Sequence, residues 1–266
     1  MNSQARYISM SPADIAELKH AKSLLEHPNF FAKVAGFIGA PVEKALQLLP
    51  GKWSSVVNTA TSKALEVALR GAIATLKDGK NRSSSNALHK IMLSVTGGAG
   101  GAFGLAALPV ELPISTTIML RSIADVARSN GEIIKSPEAM LACLEVFALG
   151  GRSADDDATE VGYLAVRAAL ARSVSDAAQY LATKGIAKET GPAVLRLVGQ
   201  IASRFGITVS QKVAAQAVPI VGAVGGGLIN VLFVDHYQDI ARGHFTVRRL
   251  ERKYSEQIVH DMYATL

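Results

Sequence analysis

Two long uncharged segments dense in glycine and alanine, residues 91–110 and 213–234, constrain what this chain can fold into more than any other feature. Each is close to the roughly 20 residues that span a hydrocarbon core, so length alone nominates both as transmembrane helices. Composition argues the other way. GGAGGAFGLAALPVELP and VPIVGAVGGGLINVLF are interrupted by Pro109, Pro113 and Pro219 and are light in the Leu and Phe that drive insertion. Glycine costs about 1 kcal/mol against alanine in a helix interior, so such runs persist only when densely packed. Small side chains permit that packing, because they let helix backbones approach closely. The expected architecture is an all-α multi-helix bundle with two Gly/Ala-rich apolar central helices. The alternatives are a hairpin that dips into or lies against a bilayer and, behind it, true spanning helices.

The remainder of the chain reads as helix throughout. SPADIAELKHAKSLLEH opens with Ser11 as a cap, Pro12 at the first helical position and Asp14 and Glu17 at the positive end of the dipole. Residues 52–77, 160–184 and 192–216 carry apolar residues at helical rather than alternating spacing. Gly131 ends a helix that begins at Ser115, and Ser136, Pro137 and Glu138 start the next. No segment alternates with the period of a strand, and no fixed repeat is visible. One helical domain over 1–266 is expected, with a Ser/Asn-rich boundary near 85 that could set off an N-terminal helical subregion, 1–85.

Hydrophobic residues form 49% of the chain and charged residues 19%, which excludes disorder for most of it. The net charge of +6 points to acidic or anionic partners, but the basic clusters at 77–82 and 248–253 lack the interleaved aromatics of an RNA-binding surface. No nucleic acid is expected. An anionic membrane surface or a membrane protein fits the apolar segments and the basic C-terminal helix better. Nothing specifies an oligomeric state. The lone Cys143, set in MLACLEVFAL, allows no disulfide within the chain, and the first residues lack a secretory pattern. A cytoplasmic protein, peripheral at the inner face of the membrane, is the expectation.

Three motifs, GGAGGAFGLAALPVELPISTTIMLRSIADVARSNGE, LEVFALGG with EVGYLAVRAALA, and VPIVGAVGGGLINVLFVDHYQDIARGHFTVRRLERKY, are similar to the EcsC family of bacterial proteins. The similarity extends over nearly the whole chain, including LEHPNFFAKVAGFIGAPVEKALQLLP. It implies a helical fold and a name taken from a transporter operon rather than from an activity. It transfers no catalytic residue to any position of this sequence.

Site candidates therefore come from chemistry alone. Glu111 lies between Pro109 and Pro113 at the end of an apolar run, and a buried carboxylate demands a partner. An arginine is the expected one, serving as a structural lock. Arg121 and Asp125, four apart, share one helix face. In DHYQDIARGHFTVRRLER, the spacings of Asp235, His236, Asp239, Arg242, His244 and Arg248 place acids and imidazoles on neighbouring faces. Glu111, His236, Asp239 and His244 are thus the candidates for acid/base catalysis on a small or lipid-like substrate, by a hydrolase-like enzyme. Glu111, His236 and Asp239 are candidate metal ligands. Against a metal stands the lack of a second His-x-x-acid pair or of a His-Glu-x-x-His motif, so no cofactor is expected. The competing reading is structural: ion pairs drawn from Glu111, Arg121, Asp125, Arg242 and Arg248, and a satisfied network of His236, Asp239, Arg242 and His244 that docks the C-terminal helix.

Overall fold

A computed structural model describes residues 10–26, 30–39, 46–47, 51–77, 108–151, 162–184, 191–217 and 222–266. The described residues form nine α-helices and no strand: α1 (Pro12–Glu26), α2 (Phe30–Ile38), α3 (Trp53–Lys77), α4 (Leu108–Ser129), α5 (Pro137–Leu149), α6 (Tyr163–Lys184), α7 (Pro192–Gln216), α8 (Gly222–Tyr254) and α9 (Glu256–Thr265). The protein is all-α, a multi-helix bundle.

Local chemistry sets most of the boundaries. Ser11 Oγ accepts from the backbone of Asp14 at the start of α1, and Ser136 Oγ accepts from the backbone of Ala139 at 3.1 Å at the start of α5. Gly131 closes α4 with φ +81°, and the amides of Gly131 and Glu132 return to the carbonyls of Arg128 and Ala127, each at 3.0 Å. That is the Schellman arrangement, which a left-handed glycine allows without strain. α4 starts at Leu108 rather than at Ser115, so Pro109 and Pro113 both lie in its opening turns. Pro109 is tolerated because the first amides of a helix have no partner to lose, whereas Pro113, the sixth residue, lies inside the helix and removes a bond to the Pro109 carbonyl.

The apolar segments depart from expectation in one respect. Residues 213–234 do not form a single helix: 213–216 are the last turn of α7 and 222–234 are the first half of α8. Pro219, a residue type disfavoured in a helix interior, falls between the two in the sequence. Of the segment 91–110 only the last three residues, which open α4, lie among the described residues.

α8 is the spine. Its 33 residues extend about 50 Å at 1.5 Å per residue, and α1, α2, α4, α5, α7 and α9 all pack against it. Gly243 makes the α1 crossing possible, since a Cβ there would come within 2.7 Å of Leu25 Cγ and 3.0 Å of the Ala21 carbonyl. Around Tyr237, rings from three helices interlock: Phe147 at 5.3 Å, Phe205 at 5.5 Å and Phe233 at 5.2 Å between centroids. Edge and tilted contacts of this kind add to the burial of the rings themselves. Cys143 is enclosed in α5, and burial pushes its thiol up to about 12.

Candidate functional site

Buried charge gathers at two places along the spine. The first is at the Gly-rich end of α8. Glu111, in the first turn of α4, meets Lys212 of α7 with Nζ to Oε1 at 2.6 Å, and Asn230 Nδ2 of α8 donates to the same oxygen at 3.3 Å. Lys212 is completely enclosed and its ammonium lies 5.1 Å from the centroid of Phe233. Gln216 adds a contact to Asn230 Oδ1 at 3.5 Å. One desolvated ion pair thus joins α4 to α7, and the Asn230 amide ties α8 to it. Glu111 is paired, but its cation is Lys212 and not the expected arginine. Arg121 points to solvent, and Asp125 pairs with Arg128 at 2.8 Å rather than with Arg121.

The second cluster surrounds the C-terminal half of α8. Arg248 grips Glu132 with two hydrogen bonds, 2.8 and 3.3 Å, and Arg252 joins the same carboxylate. Arg167 of α6 grips Glu251 at 2.6 and 3.2 Å and also donates to Tyr163 Oη at 3.3 Å. Tyr163 Oη lies 3.0 Å from His244 Nδ1. Tyr163 and His244 share this one hydrogen bond, and the imidazole tautomer sets which of the two donates. Among the described residues His244 Nε2 has no partner. Burial holds His244 well below the ordinary range, and the arginines Arg167 and Arg248 push in the same direction.

Glu145 of α5 belongs to the same cluster. It is 6% exposed, and no hydrogen bond reaches it among the described residues. Desolvation raises its carboxyl to about 7, against the opposing pull of Arg167 and Arg248. Desolvation also raises the Tyr163 phenol. The residues sequence reasoning passed over are therefore Lys212, Glu145, Glu132, Tyr163, Arg167, Glu251 and His260. For two of them a signal existed: Glu145 in MLACLEVFAL and Lys212 in TVSQKVAAQAV are lone charges in apolar runs.

The four acid/base candidates are not brought together. Glu111 is held by Lys212 and Asn230. His236 is buried, its Nε2 is 2.9 Å from the Gly150 carbonyl, and burial lowers it to about 4, so it stays neutral and donates to that oxygen. Asp239 faces outward and pairs with Arg242 at 2.5 Å. His244, two turns beyond His236, faces Tyr163. The set proposed as metal ligands, Glu111, His236 and Asp239, likewise divides among three separate environments. Among the described residues, the acid and imidazole groups whose ligand atoms converge are Glu251, Glu256 and His260.

An all-helical bundle tied by desolvated ion pairs around one long glycine-fronted helix is the class that this fold and these clusters define. The chain belongs to the EcsC protein family, whose profile matches residues 13–250, from the start of α1 to near the end of α8. Neither the curated proteins nor the solved structures yield a match to it. The matched span contains both clusters of buried charge, apart from Glu251 and the residues that follow it.

Proposed function

We propose that this protein is an accessory module that engages an apolar surface, a bilayer or the flank of a membrane protein, at the cytoplasmic face through the Gly-rich end of its spine. The observation that carries the reading is the exposure of Val110 at 68% and Ile114 at 45%, one turn apart on α4 at the end of the uncharged run 91–110 and just beyond it. Leu228, 42% exposed, belongs to the same end, since Asn230 beside it bonds Glu111 beside Val110. Single exposed apolar residues are ordinary on any protein. Two on one helical face, adjoining a segment of this composition, make a contiguous contact. Among the described residues no helix is long and apolar enough to cross a membrane.

The charge of the C-terminal helix contributes little to this reading. Arg248 and Arg252 are committed to Glu132, Arg249 to Glu17 and Lys253 to Asp14. Arg248 also lies about 27 Å along the spine from Asn230. Binding should therefore follow apolar contact, with weak dependence on salt. Flotation of the whole chain with neutral and with anionic vesicles tests this. Association with both, reduced at least fivefold by Val110→Asp together with Ile114→Asp, is expected. A protein that floats with neither kind of vesicle, and whose partner in a membrane extract is unaffected by the double substitution, overturns the reading.

A further inference from the structure

We propose that Glu251, Glu256 and His260 form a binding site for a divalent transition-metal ion, with zinc the ion its donors suit best. The three residues come from two helices. Glu251 is in the last turn of α8, and Glu256 and His260 stand four apart, on one face of α9. Between the helices Ser255 takes φ +92°, and the turn folds α9 back so that one ligand atom from each residue lies within 4.8 Å of the others.

The two separations from His260 bracket that of a tetrahedral ion, and the Glu251 and Glu256 ligand atoms lie within 4.8 Å of each other. Zinc takes nitrogen and oxygen ligands at about 2.0–2.2 Å, so neighbouring ligand atoms around it stand roughly 3.3–3.5 Å apart. His260 Nε2 is 2.9 Å from Glu251 Oε1 and 3.8 Å from Glu256 Oε1, values on either side of that separation. One imidazole with two carboxylates also matches the donor preference of zinc over the all-oxygen preference of calcium and magnesium. Glu256 is 72% exposed and His260 30%, so an ion can enter from solvent and a water can complete its coordination.

Arg167 acts on this site in two directions. Its two-pronged grip on Glu251 fixes the carboxylate plane, the service that an outer partner gives a metal ligand. Its positive charge sets two carboxylates against one guanidinium and leaves the group with a net charge of −1, which weakens attraction for a dication. The same contacts without an ion make a chain of hydrogen bonds from His260 through Glu251 and Arg167 to Tyr163. That chain is the rival account. It gives roles to His260 and Glu251, and leaves Glu256 as the acid of the first turn of α9, 3.8 Å from His260.

Zinc binding, and its dependence on Glu256, decides between the two. The whole chain, stripped with chelator, is titrated with Zn2+ by calorimetry and with Co2+ by visible absorption. One equivalent bound, with cobalt bands of tetrahedral intensity and a raised Tm on adding Zn2+, is the expected result. His260→Gln and Glu256→Gln should each weaken binding at least tenfold, while His20→Gln, at an exposed position on α1, leaves it unchanged. The proposal is overturned if Zn2+ does not bind, or if Glu256→Gln binds it as tightly as the unaltered chain.

Discussion

The two ends of α8 hold their neighbours by different means. At the Gly-rich end one ion pair, Glu111–Lys212, is almost wholly removed from water and has a single amide, Asn230, as further support. At the far end several pairs overlap, with Glu132 shared by Arg248 and Arg252 and Glu251 shared by Arg167 and His260, and most retain some contact with solvent. An isolated buried pair fails all at once when one member is lost, since nothing else can take up the remaining charge. A branched and wetter network has substitutes at hand. Loss of one member should therefore be felt far more at the first end than at the second.

Lys212→Met tests the brittle end and should have the largest effect. It leaves Glu111 buried without its cation, and urea unfolding should show a loss of about 3–5 kcal/mol. Adding Glu111→Leu to Lys212→Met should recover more than half of that loss. A double variant no better than the single one would mean that packing, rather than the stranded charge, sets the cost.

The far end should respond to pH. The carboxyl of Glu145 is raised from an ordinary 4.5 to about 7, so the folded state holds its proton more tightly than the unfolded chain. Its contribution is complete below about 4.5 and is lost as pH rises to about 7, with a span of about 3 kcal/mol. His236 works oppositely: lowered from 6.5 to about 4, it contributes fully above 6.5 and is lost as pH falls toward 4. The two trends oppose each other between 4.5 and 6.5. Glu145→Gln removes one of them, so stability measured from pH 8 to pH 5 should fall more steeply in the variant than in the parent chain. An unchanged slope would place Glu145 in contact with water.

Two smaller effects complete the comparison. Gly243→Ala forces a methyl against Leu25 and the Ala21 carbonyl where α1 crosses the spine, and should cost about 1–3 kcal/mol in the same unfolding measurement. Arg249→Ala, at the far end, removes a solvent-exposed pair with Glu17 and should cost less than about 1 kcal/mol. A large loss from Arg249→Ala would show that the charged end is less redundant than its overlapping pairs imply.

The helices were legible because their signals are local. Ser136 before Pro137, Gly131 after Asn130, and apolar spacing that stops at Lys77 and Gln216 are each readable within a few residues, and α3, α5 and α7 follow them closely. The partners of the charges were not legible, because helix crossings choose them. Glu111 finds its cation 101 positions away, and a search of its sequence neighbourhood leads to Arg121 instead. His236 and His244 look like one motif on paper, yet α5 takes the first and α6 the second. Lys212 and Glu145 could have been singled out as lone charges in apolar runs, although not paired.

Cys143 turns this arrangement into a clock. The chain contains one cysteine, its sulfur is enclosed at 2% exposure, and burial keeps it a thiol at any physiological pH. A thiol-specific reagent can reach it only when α5 separates from its neighbours, and only a separated thiol ionises readily enough to react. The rate of labelling therefore counts openings of the core around α5, with no reporter group to be introduced. Compared between the parent chain, Lys212→Met and Glu145→Gln, that rate tells whether a break at the Gly-rich end is transmitted along 33 residues of helix or dies out locally.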